Sequence, residues 1–139
     1  MKHSTQLALT LVFTLGIACS QPNESHAEDL SGIELIDGNK WLVNEAMKPH
    51  INQAERLLHD YMQDGGVDHR QLAISMKAHN MDLINSCTMT GQSHDQLHLW
   101  LHPHLNLVEQ LALADTDGLA NDIIEEIQSS FSIYHRYFQ

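Results

Sequence analysis

Positive charge is scarce in this chain. Seven Lys and Arg stand against eighteen Asp and Glu, a formal net charge of −11 at pH 7. A surface of that sign repels phosphate backbones and anionic headgroups, so nucleic acid is excluded as an expected partner. Cysteine is scarcer still, with only Cys19 and Cys87, which rules out a disulfide-stapled scaffold. No apolar run reaches the roughly 20 residues that a membrane-spanning helix needs. No period-two run of β-branched residues occurs, so nothing reads as a strand.

The longest apolar run, Leu7 to Ala18, is twelve residues and follows Lys2. That length and that charge suit the apolar region of an export signal. Two exits from the signal are open. Leu15-Gly-Ile-Ala18-Cys19 resembles a bacterial lipobox, with Gly16 where Leu is usual, and implies residues 1–18 as signal and a lipid on Cys19. Ser25-His26-Ala27 alternatively permits cleavage after Ala27. The lipobox is the favoured reading, because Cys19 directly follows the apolar run and Ser20 to Ser25 reads as a polar tether. By resemblance to lipoproteins, Ser20 after the cysteine implies the outer membrane of a Gram-negative cell, with the protein facing the periplasm. Simple periplasmic release or secretion is the alternative. With Cys19 lipidated, Cys87 is alone, and that thiol is buried, liganded or paired with another chain.

Residues 19–36 are expected to be a flexible tether and residues 37–139 one domain. Within the domain the breaks Asp64-Gly-Gly-Val67, Thr88-Met-Thr-Gly91 and Asp115-Thr-Asp-Gly118 each combine glycine with capping residue types. Asp68, Ser93 and Thr116 or Asp117 are the candidate N-caps. Between the breaks run four apolar series at steps of three and four. They are Val43–Met47–His50–Ala54–Leu57–Tyr61, His69–Leu72–Met76–His79–Leu83–Cys87, His94–Leu97–Leu101–His104–Val108–Leu111 and Ala120–Ile123–Ile127–Ser130–Tyr134–Phe138. These predict an all-α, antiparallel up-down-up-down four-helix bundle. Pro49 and Pro103 each predict a kink or a fresh helix start.

Several seam positions carry chemistry instead of hydrocarbon. Matching levels through the short loops gathers Met47, Cys87, Met89, His94 and His98 at one bundle end, walled by Tyr134, Tyr137 and Phe138. Thiolate and thioether are soft donors and imidazole is borderline, so this set points to copper, with zinc or haem iron behind it. One to two turns deeper, His50 and His79 share a level and form a second polar spot. His59 is expected in solvent and His102 near it. The bland reading competes at each position: Met47 as core filler, Cys87 as a small buried hydrophobe, His79 or His104 as a hydrogen-bonded core residue.

His94-Asp-Gln-Leu-His98 is similar to the His-Glu-x-x-His pattern of zinc proteases, with Asp in place of the catalytic Glu. The layout also partly resembles the hemerythrins, four-helix bundles that hold a di-iron centre. His50 on the first helix and His94 and His98 on the third match that pattern. The second helix departs from it with Leu83 where a Glu is required, and the fourth offers only His135. The Cys-x-x-Cys-His of covalent haem bundles is missing, which leaves a non-covalent b-type haem between Met47 and His94 or His98.

The expectation is therefore an exported, lipid-anchored bundle that binds a transition metal, copper first, for storage, sensing or delivery. An envelope interaction module without metal is the alternative, and a b-type haem bundle a further one. No nucleophile–base pair can be placed from spacing, so no enzyme is expected.

Overall fold

Residues 32–139 are described by a computed structural model. The expected signal, Cys19 and its lipid, and the cleavage position after Ala27 lie outside the described residues. Four α-helices follow one another: α1 (Lys48–Gln63), α2 (His69–Asn85), α3 (Gln92–Leu113) and α4 (Asp117–Tyr137). No helix among the described residues is long and apolar enough to cross a membrane.

Local chemistry sets the helix ends. Pro49 stands in the first turn of α1, where its missing N–H breaks no helical bond. Asp68 caps α2 by accepting from the Gln71 N–H at 2.9 Å. Thr116 caps α4 through the Leu119 N–H at 3.2 Å. Gly91, with φ 68°, takes the N-cap position of α3. Ser93, a candidate cap, lies inside that helix, so Gly91 displaces it. The end of α1 needs two glycines. Gly65 (φ 78°) turns the chain into the left-handed region, and the Gly66 N–H returns to the Tyr61 carbonyl at 2.9 Å. That is the longer bond of a Schellman cap. The Tyr61 ring lies over Gly66, where an added Cβ would stand 2.4 Å from Cε1.

Each helix runs antiparallel to the next, and side-chain ties between their ends fix the levels. Asn44, just ahead of α1, donates to the Ser86 carbonyl and accepts from the Thr88 N–H at the far end of α2. His69 at the start of α2 meets the Ala114 carbonyl beyond the end of α3, and Lys77 pairs with Glu109 midway. Trp100 on α3 donates to the Ser130 carbonyl of α4 at 2.8 Å. Glu55 on α1 accepts from His135 on α4. The result is an all-α up-down-up-down bundle. Ile51, Leu58, Met76, Leu83, Leu97, Leu111, Ile127 and Phe131 fill its centre.

One element is unlike the expectation. Residues 32–47 are a strap laid over the end of the bundle that holds the α2–α3 loop. Asp37 (φ 50°) and Gly38 (φ 78°) make a tight turn between Ile36 and Asn39, as both positive φ values of a two-residue hairpin turn require. The Trp41 N–H then donates to the Tyr137 carbonyl, and the Val43 and Gln139 N–H groups complete a short parallel pairing with the chain end. Ile33, Trp41 and Val43 are buried. The last residues of the expected tether are thus docked, and Val43, expected on the first helix, precedes it.

Candidate metal centre

The short α1–α2 loop sets the start of α1 beside the end of α2, and this brings three ligand types together. His50 comes from the first turn of α1. His79 and Asp82, three apart on α2, share one face of that helix. One ligand atom from each of His50, His79 and Asp82 lies within 4.8 Å of the other two. His50 Nδ1 and Asp82 Oδ2 are 4.0 Å apart. Two donors on one ion with bonds of ~2.0–2.2 Å stand roughly 3–3.5 Å apart, so small side-chain rotations close this group. The site is roofed on one side only, with His50 31% and Asp82 59% exposed. Three protein donors at a half-open surface leave coordination positions for water or an exchanging ligand. The His79 Nδ1 is shielded from solvent and has no hydrogen-bond partner. A sheltered ring nitrogen of this kind costs ~1–3 kcal/mol until something satisfies it.

His50 and His79 are the pair expected at one level of the bundle. Asp82 was not anticipated, although His79-Asn-Met-Asp82 carries the signal, a His and a carboxylate one helical turn apart. The set expected at the bundle end is differently placed. Met47, at the junction of the strap and α1, is fully buried in the core, where its thioether packs among apolar side chains. Cys87 is a free, half-buried thiol, and Met89 packs beside it against the core. Among the described residues Cys87 does not form a ligand group with His94 and His98. Trp41 and Val43 of the strap are buried at this end of the bundle.

His94, His98 and His102 instead line one edge of α3. His98 Nε2 is 3.0 Å from His94 Nε2, and His98 Nδ1 is 2.7 Å from His102 Nε2. The shelter of its surroundings, and then the two flanking imidazoles, push the His98 pKa down, while Asp95 pulls the other way.

His104 is a core residue. It is wholly buried, stacks on Trp100 with ring centroids 5.0 Å apart, and bonds through Nδ1 to the Ser130 hydroxyl at 3.1 Å. Burial lowers its pKa to about 4, so it is neutral at pH 7. Tyr134, whose ring is tilted against Trp100 of the same cluster, is pushed up to about 12 by burial and then by Glu55.

An open groove of about 650 Å³ runs between α1 and α4, where the helices pack least closely, lined by Glu55, Arg56, His59 and Phe131 among others. It contains none of the three clustered ligands. Its breadth gives no donor set for an ion, whereas the His50–His79–Asp82 group does. No protein-family model, curated protein or solved structure matches the chain.

Proposed function

We propose that this is an exported bundle protein that binds one divalent first-row transition ion through His50, His79 and Asp82. The observation that carries the reading is the convergence of two imidazoles and a carboxylate from two helices within 4.8 Å. A nitrogen and oxygen donor set suits Zn²⁺, Ni²⁺ or Cu²⁺, with Cu²⁺ bound most tightly by the general affinity order. Copper thus remains in the reading, but as the divalent ion, because Cu(I) prefers sulfur donors and this group has none. The net charge of −11 draws cations toward the surface. Three protein ligands and open positions fit an ion that is picked up and passed on, as storage, sensing or delivery requires. A lipid on Cys19 would hold the domain at the periplasmic face of the outer membrane.

The test is calorimetric titration of the mature protein with Zn²⁺. His50→Ala with His79→Ala is expected to remove one equivalent, and Asp82→Ala to weaken that same event at least tenfold. Uptake unchanged in the double variant contradicts the reading.

A second reading rests on a different observation. The outer side of α2 exposes Ile74 and Met81, two turns apart and within ~20° of each other around the helix. Apolar residues so aligned are what an envelope partner would cover, and on this reading the protein is an interaction module with no metal. A protein that takes up no Zn²⁺, Ni²⁺ or Cu²⁺ at all would favour it.

A further inference from the structure

His98 lies between two imidazoles of its own helix, within hydrogen-bond reach of both, and the two contacts differ in length. A neutral imidazole has one N–H and one lone pair. The 2.7 Å contact from His98 Nδ1 to His102 Nε2 is a hydrogen-bond distance. It is shorter than the ~2.9–3.4 Å that separates two nitrogens on one ion. Placing the His98 proton on Nδ1 makes that ring a donor to His102 and leaves a lone pair on Nε2. That lone pair faces His94 Nε2 at 3.0 Å, within the range of two nitrogens on one ion. The other nitrogen of His94, Nδ1, faces the Asp95 carboxylate at 3.9 Å, which favours the proton there. In that tautomer both Nε2 atoms carry lone pairs 3.0 Å apart, and a cation bound by both would satisfy them.

We infer that His94 and His98 form a second metal site, a two-imidazole chelate on the surface of α3 for Ni²⁺, Cu²⁺ or Zn²⁺, with water in the remaining positions. Their four-residue spacing on a regular helix holds the two rings side by side before any ion arrives. His102 is a positioning residue. By accepting the Nδ1 proton it holds His98 in the tautomer whose Nε2 is free to ligate, as a ligand imidazole commonly requires. This site shares no residue with His50, His79 and Asp82 and stands on a different helix, so either can exist without the other.

The alternative chemistry at the same place is a metal-free chain in which His94 Nε2–H donates to His98 Nε2. The two are separated by titrating Ni²⁺ into the mature protein carrying His79→Ala and Asp82→Ala, which silences the first site. One binding event is expected to remain. His94→Ala or His98→Ala in that background should abolish it. His102→Ala should weaken it at least tenfold without removing it, and His102→Gln, which keeps an acceptor, should recover part of the loss. With one equivalent of Zn²⁺, imidazole ¹⁵N spectra should show the Nε2 signals of His94 and His98 shifting while His98 Nδ1 stays protonated. Thermal melting checks that each variant is folded. An isotherm unaffected by His94→Ala and His98→Ala overturns the proposal, as does a His98 found protonated on Nε2 in the loaded protein.

Discussion

His50 Nδ1 lies 4.0 Å from Asp82 Oδ2, although the two residues belong to different helices and are thirty-two positions apart. Nothing in the core requires this pairing, because both side chains reach solvent. With His79 beside them, this imidazole and carboxylate make a group that could coordinate a metal ion.

Asp82→Ala should therefore cost metal and not fold. Asp82 is well exposed and away from the core, where substitutions usually change stability by less than ~0.5 kcal/mol. An ion present at 100 times its dissociation constant stabilises the folded state by ~2.7 kcal/mol. Thermal melts should show that gain with Zn²⁺ in the parent protein, reduced in Asp82→Ala. The two metal-free melts should coincide. For this comparison His98→Ala is carried in both proteins, so that only the first site responds.

His104 should make the bundle sensitive to acid. Its pKa is lowered to about 4, below the ordinary imidazole value near 6.5. Between those values the unfolded chain binds a proton that the folded one refuses. The stabilisation is therefore fully present above pH ~6.5 and is lost as pH falls toward 4, to the extent of about 3 kcal/mol. Urea denaturation at pH 7, 5.5 and 4.5 measures it. His104→Gln should be less stable at pH 7 and should flatten that part of the pH dependence. A slope unchanged by the substitution would place the acid sensitivity elsewhere.

The two glycines after α1 should not be equivalent. Both have positive φ, but only Gly66 lies under a ring. Gly65→Ala carries the left-handed backbone strain alone, of order 1 kcal/mol. Gly66→Ala must also displace Tyr61 and should cost more. Chemical denaturation of both variants ranks them, and equal losses would mean that the Tyr61 ring moves freely.

Trp41→Ala should loosen the strap. Trp41 is buried, its indole donates to the Glu34 carbonyl at 2.6 Å, and its backbone pairs with the chain end. Loss of such a side chain costs ~3–5 kcal/mol. Hydrogen exchange should then rise selectively at the Val43 and Gln139 amides, beyond what the lower global stability explains.

The helical repeats and the capping chemistry were legible in the sequence. Apolar steps of three and four placed all four helices, and Asp68 and Thr116 marked two starts, because both signals are local. The strap was not legible. Its apolar residues are few and its pairing partner is the distant chain end, so residues up to 36 read as tether and Val43 and Met47 as first-helix positions, although Asp37-Gly38 carries a turn signature. Matching levels through the loops gathered Met47 and Cys87 at the bundle end; in the structure Met47 is fully buried and Cys87 half-buried. The level of His50 with His79 followed from loop lengths. Asp82 escaped notice because the hydrophobic series was followed along the buried seam, and this carboxylate stands at the seam's wet margin. His102 is exposed, as expected, but its contact with His98 is one that spacing alone does not show.

The most direct test of the His50–His79–Asp82 centre is X-ray absorption on the mature His98→Ala protein loaded with one equivalent of Zn²⁺. The expected spectrum has a shell of nitrogen and oxygen only, at ~2.0–2.2 Å, with the outer scattering of two imidazoles. A sulfur shell at ~2.3 Å, or a spectrum left the same by His50→Ala with His79→Ala, would contradict the account.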